Sequence, residues 1–390
     1  MLRIPIKAGS AGIFLSLSFL YCSVSAYAKE NSAVLMHTRI AGVPPKKDVR
    51  VKMEELIKAG KRQEAALLAM ENNYFYDLML KNWIAPWTNE EQSSRVELND
   101  FTATIIGLIR DDEPFNLALS GDVIYVASPE SIAAAAGRIL PYSPTNNDHY
   151  RSLENSGQSL KTSLSVQKQS ELQALPLEAT AGVLTTRAAG EAFYKDGTNR
   201  AVLRFTLMNF MCNDLEQLSD ITRSDYRVRR DVERNPGGTT ITYKTKCVGC
   251  HSGMDPLAGA FAYYNWNENR LVHTAGQVQE KYNFNPFNFP DGYVTTDDSW
   301  QNIWTEGPNK RLGFRGEQEG NGAKSFGEML GASRGFSECM ATKVFERLCL
   351  QNGNQTKSKR LIKRLADSFE AEGKYSMKQL YANTAAACFK

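Results

Sequence analysis

Apolar residues return every three to four positions along most of this chain, the spacing of helices that turn one face toward a core. "DVRVKMEELIKAG" is the first such run and should stop at Gly60, and "QEAALLAMENNYFYDLMLKNW" carries the period on toward Pro86. Thr88 with Glu91 has the form of a capping box ahead of "RVELNDFTATIIGLIR". Ser128-Pro129-Glu130 places serine and proline in the order that opens a helix. Helical spacing predicts a further helix from Asn199 to Asn213, and returns in "SFGEMLGASRGFSECMATKVFERLCL" and "KSKRLIKRLADSFEAEG". No strand pattern of comparable strength shows in the N-terminal half. The fold class expected is mainly α.

Two stretches interrupt the period. Residues 152–176 are rich in Ser, Gln and Lys and hold no aromatic ring, which predicts a long polar surface loop. It would link a helical region at 29–151 to a second region at 177–390. Residues 267–325 mix Asn, Gly and Pro with aromatics, the composition of long irregular loops wrapped over something. No internal repeat is visible.

The amino-terminal residues bear on the compartment. Arg3 and Lys7 precede the apolar run "AGIFLSLSFL", and small Ala26 and Ala28 follow, the three-part pattern of a secretory signal peptide over residues 1–28. The expectation is export to the periplasm. Cys22 offers a lipid-anchored alternative, but bulky Tyr21 stands before it where such a cysteine is ordinarily preceded by Gly or Ala. Loss of Arg3 and Lys7 from the 46 basic residues leaves 44 against 43 acidic ones, a net charge of +1. So even a balance gives no footprint for nucleic acid, and no such partner is expected. No later stretch is apolar enough to cross a bilayer, so no transmembrane segment is expected after cleavage.

The chemistry concentrates in "TKCVGCHSGMDPLAGAFAYYNW". Cys247 and Cys250 stand three apart with His251 immediately after, and Cys-x-x-Cys-His in an exported chain is the attachment pattern for haem c. Two thiols on one helical turn reach the two vinyl groups of a single porphyrin, and the next residue offers its imidazole to the iron. One covalently attached haem is therefore expected, with His251 as its proximal ligand. A redox-active disulfide would ask for a βαβ pattern around the pair, and a zinc site for a second ligand pair. The sequence supplies neither in recognisable form.

Met254 lies too close to His251 in sequence to reach the opposite face of the ring. That leaves His273, Met340 or Met329 as the sixth iron ligand, or an open position. Phe261, Tyr263, Tyr264 and Trp266 are candidates to wall the ring, and Asp255 or Pro256 to accept the proton on the other nitrogen of His251. Arg200, Arg204, Arg229 and Arg230 are candidate partners for propionates, with a solvated surface role as the plainer reading. Outside the pair, Cys212, Cys339, Cys349 and Cys388 are an even number suited to two disulfides. Cys339 with Cys349 is the least suited pairing, because about 15 Å of helical rise would separate them.

Cys247-Val-Gly-Cys-His251 followed by Met254-Asp-Pro-Leu257 and an aromatic tail resembles the haem-binding segment of planctomycete-type cytochrome c domain proteins. Three further blocks are similar in order: "RDDEPFNLALSGDVIYV", "AGVLTTRAAGEAFYKDGTNRAVLRFTLMNFMC" and "SFGEMLGASRGFSECMATKVFERL". The likeness spans roughly residues 100–350. The chain departs from it in reading Asp255-Pro-Leu-Ala-Gly-Ala-Phe261 after the haem motif and Phe345 to Cys349 at the close of the last block. The resemblance implies a multi-helix, cytochrome-c-like haem region inside a larger exported helical protein, and names no reaction. One-electron transfer with a redox partner protein is the expected role. A haem enzyme of peroxidase or oxidase type, or a binding scaffold with a structural haem, is the alternative.

Overall fold

The structure is a computed structural model and describes residues 32–389. The expected signal peptide over 1–28 and the alternative lipid site at Cys22 lie outside the described residues. Helices dominate the rest, and the strands form three two-stranded sheets among the described residues. Mainly α is the fold class.

The helix Asp100–Asp111 is almost wholly buried. Every residue from Asp100 to Ile109 is buried, so its polar face, with Asp100, Thr102 and Thr104, is covered as well as its apolar one. Its start differs from the sequence expectation. Asn99 is the cap, its side-chain oxygen accepting from the Thr102 N–H at 2.9 Å, while Thr88 is buried and donates to the Ala85 carbonyl at 2.8 Å. The capping-box pattern at Thr88 falls instead at the end of a 3-10 turn over Ala85–Thr88. Asp100 then reaches outward, and its carboxylate accepts from the N–H groups of Arg187 (2.7 Å) and Ala188 (3.0 Å). It thereby satisfies the open amino end of the helix Arg187–Phe193.

Other expectations fare better. The helix Lys47–Lys58 stops just before Gly60, whose φ is +79°. Ser128 caps Pro129–Ala134 through the Ser131 N–H at 3.2 Å. The helix Arg200–Met211 follows Asn199, and the C-terminal helices are Gly322–Gly331, Arg334–Cys349, Thr356–Glu370 and Met377–Cys388. The helix Arg62–Met70 packs on the helix Met377–Cys388, and Arg62 Nε donates to the Phe389 carbonyl at 3.1 Å.

Residues 152–176 are not a structureless loop. They hold the end of the helix Asp148–Asn155, the turn Leu160–Ser163, the strand Leu164–Gln167 and the short helix Gln169–Gln173. The strand pairs antiparallel with Ile124–Ala127, from Ile124 opposite Gln167 to Ala127 opposite Leu164. The polar residues that suggested a loop are anchors. Ser170 binds the Asp122 carboxylate through backbone and hydroxyl at 2.7 Å each, and buried Gln169 donates to the Gly182 carbonyl at 3.0 Å. Residues on both sides of this segment contribute to one hydrophobic cluster, which runs from Ala33 to Ala385.

Two disulfides tie the C-terminal half. Cys212 joins Cys339 across 127 residues with Cα atoms 5.3 Å apart, and Cys349 joins Cys388 across 39 with 5.5 Å. Cys339 and Cys349 do share one helix, as the spacing argument required.

Candidate functional site

Cys247 closes a π-helical turn over Tyr243–Cys247 and leads into the helix Val248–Ala258. Neither Cys247 nor Cys250 is bridged, and both are half-buried. On a helix, positions four apart lie one above the other, so Cys247, His251 and Asp255 share a face. Cys250 stands one turn from Cys247, its sulfur directed at the Leu215 carbonyl at 3.4 Å. Burial pushes its thiol pKa up, with Ser219 beside it acting the other way.

The imidazole of His251 is held from within its own helix. Its Nδ1 lies 3.2 Å from Asp255 Oδ1, so the neutral ring donates there and leaves Nε2 for another partner. Asp255 is wholly buried and rests in a cage of cations. Arg200 binds it side-on, Nε to Oδ1 at 2.7 Å and Nη2 to Oδ2 at 3.0 Å. The same guanidinium grips Asp231, Nη1 to Oδ2 at 2.5 Å and Nη2 to Oδ1 at 2.9 Å. The Arg229 N–H donates to Asp255 Oδ2 at 3.1 Å, and its guanidinium, 1% exposed, lies over the Tyr282 ring. Burial alone would raise the Asp255 pKa, but Arg200 and Arg229 outweigh it and hold the carboxyl well below the usual range. Burial pushes the Arg229 pKa down, Arg200 beside it adding to the effect.

Glycines allow the close packing around this helix. A Cβ on Gly253 would lie 2.0 Å from the Trp304 ring, which is fully buried, and one on Gly249 would lie 2.2 Å from Ser219 Oγ. The Gly249 carbonyl accepts from the Asp220 N–H at 2.9 Å, which lays residues 219–221 across the start of the helix. Gly253→Ala is therefore expected to lower stability by about 1–3 kcal/mol through overpacking. An uncrowded helical glycine would instead gain up to about 1 kcal/mol from alanine. A thermal melt gives the sign, and a more stable variant would refute the packing.

Around the cysteines the chain is apolar but separate from the main core. Val228, Val232, Tyr243 and Val248 form a small cluster with Cys247 packed against it. Ile221, Tyr226 and Ile241 stand 60%, 56% and 67% exposed in the segments that flank it. Exposed apolar side chains of this kind are what an apolar ligand or partner surface would cover. Among the described residues, no three His, Cys, Asp or Glu side chains form a group able to hold a bare metal ion.

The other candidates scatter. His273 is not in a loop but ends the strand Arg270–His273, which pairs with Tyr264–Asn267. Its ring meets Tyr264 and Tyr263 at 4.7 and 5.8 Å between centroids, and its buried Nδ1 has no partner among the described residues. Met329 is buried with its sulfur 3.7 Å from Asn302 Nδ2, and Met340 is wholly buried in the main core. The aromatic candidates serve that core and its hairpin as well. Phe261 meets Phe326 at 5.4 Å, the Tyr264 hydroxyl donates to the Ala179 carbonyl at 2.7 Å, and Arg187 lies over Trp266. Arg204 is committed to Asp214 in a two-bonded pair. Arg200 and Arg229 serve Asp255 rather than an external anion, and Arg230 keeps a buried Nε with no partner among the described residues. Asp231 and Trp304 were not foreseen. Nothing in the sequence marks either, apart from the glycine at 253 that makes room for an indole. Compared with known protein families, with curated proteins and with solved structures, the chain has no match in any of the three.

Proposed function

We propose that this chain is an exported c-type cytochrome, with one haem c joined to Cys247 and Cys250, His251 as proximal ligand, and one-electron transfer with a partner protein as its role. The observation that carries the reading is the His251–Asp255 pair beside two unbridged thiols on the same helix. The donor set suits the group: two sulfurs for thioethers, an imidazole whose outer nitrogen is uncommitted, and an apolar margin around them. When bound, the haem supplies an iron that cycles between ferrous and ferric states.

The chain's own part is to prepare that iron ligand. Asp255 fixes the ring orientation and tautomer of His251 and makes the imidazole a stronger donor. Arg200 and Arg229 keep Asp255 ionised and still, so the ring is oriented before any ligand arrives. Val228, Val232, Tyr243 and Val248 give Cys247 an apolar backing that excludes water from one side.

A second reading keeps the sixth position open, as in a haem enzyme. The burial of Met329 and Met340 within the core favours it to that extent. One set of spectra decides both points, on protein matured with haem-attachment machinery. A pyridine spectrum of the c type that survives acid-acetone extraction is expected for the wild type, and loss or single attachment of haem for Cys247→Ala. Colourless wild-type protein, or an unchanged Cys247→Ala spectrum, refutes the attachment. A ferrous spectrum altered by carbon monoxide supports the open site, and an unaltered one supports the electron carrier.

A further inference from the structure

The helix Thr356–Glu370 turns Ile362, Leu365, Ala366 and Phe369 into the core. Its opposite face carries Lys357, Lys359, Arg360, Lys363 and Arg364, all exposed. None of the five side chains forms an ion pair or hydrogen bond with a described residue. Four of them line a shallow cleft of about 570 Å³ together with Asp367, which is already paired with Arg334 at 2.7 Å. Lys359 and Lys363 also border a neighbouring groove, opposite Glu338 and Glu346. Those two acids are engaged elsewhere, Glu338 by Arg334 and Glu346 by the Gly353 N–H.

The placement works against the helix itself. The amino end of a helix is electropositive, so cations in the first turn are unfavourable by about 0.3–1 kcal/mol each. Here the first turn holds no acid, and Gln355 gives no side-chain cap. Lys357 and Lys359 thus add to the dipole's field instead of opposing it. Nothing inside the fold uses the charge. In a protein otherwise near neutrality, a field of this kind acts on what approaches from outside.

We propose that this face is a docking surface for an acidic protein. An acidic polypeptide is the occupant because the face offers charge in a concave cleft and no apolar side chain to insert into a bilayer, its whole apolar stripe being spent on the core. It also offers no exposed aromatic on which a base could stack. The surface does not depend on haem attachment, so it stands or falls separately from the electron-transfer reading.

The test uses the full mature chain and a labelled oligo-glutamate peptide, followed by fluorescence anisotropy. Reversal of Lys357, Arg360, Lys363 and Arg364 to glutamate is expected to weaken binding by about tenfold or more, with wild-type binding lost near about 0.5 M salt. The control reverses Lys46, Lys47, Lys52 and Lys58, four exposed lysines on and just before another helix, which changes net charge by the same amount. Equal losses in both variants, or unchanged binding in the first, overturn the proposal. Tighter binding to phosphatidylglycerol vesicles or to a DNA duplex than to the peptide also overturns it, and assigns the face to that polyanion. Far-UV circular dichroism confirms that both variants are folded.

Discussion

Asp255→Ala is expected to cost about 3–5 kcal/mol of folding stability, read as a fall in the urea midpoint. The side chain removed is small, but it is the counter-charge for two guanidinium groups, of which Arg200 is partly exposed and Arg229 cannot reach water. Arg229 is 1% exposed and stacked on Tyr282, so without the carboxylate its charge is left buried and unpaired. Arg200 retains Asp231 and loses half of its grip. Against a typical total of about 5–15 kcal/mol, such a loss brings the fold near its limit. Asp255→Asn is the informative partner. It keeps the shape and loses the charge, so it should fold better than the alanine variant. In haem-loaded protein it should also move the midpoint potential upward, because a less basic His251 supports ferric iron less well. An Asp255→Ala protein as stable as wild type would mean that the buried cage contributes nothing.

The Cys212–Cys339 bridge should give the other large effect. It closes a loop of 127 residues, and the chain-entropy account assigns such a closure about 5 kcal/mol, against about 4 kcal/mol for the 39-residue closure by Cys349 and Cys388. The double variant Cys212→Ala/Cys339→Ala should therefore unfold at markedly lower urea, and wild type treated with reductant, which loses Cys349–Cys388 as well, should unfold lower still. The bridge fastens the carboxyl end of the helix Arg200–Met211 to the helix Arg334–Cys349, while Arg200 secures the other end at Asp255. Loss of the bridge should leave the environment of His251 intact in native protein, which haem spectra can report. An unchanged urea midpoint would remove the bridge from the account of stability.

Much of this fold was legible because its helices announce themselves locally. Gly60, the Ser128-Pro129 pair and the apolar period after Asn199 each act within a few residues of the element they bound. The failures share a cause. Thr88 with Glu91 has the chemistry of a cap, yet Asn99 sits at the true start of the helix, and tertiary burial of Thr88 decided between them. Residues 152–176 read as a loop because Ser and Gln are polar, and polarity does not say whether a hydroxyl or amide faces water or a buried carbonyl. At the site, the Asp255 contact was foreseeable, since a side chain four positions on from His251 lies on the same helical face. Asp231 and Trp304 come from segments 20 or more residues away in either direction, and only the folded chain brings them in.

The pairing of the helix Arg62–Met70 with the helix Met377–Cys388 has a consequence for synthesis. The helix Lys47–Lys58 packs on Arg62–Met70 from its own hairpin, but the cover that the last helix adds over buried Ala65, Ala66, Ala69 and Met70 comes only more than 300 residues later. A ribosome that stalls before residue 377 would release a chain with part of this sticky strip unshielded, a ready substrate for holdase chaperones and for proteolytic clearance.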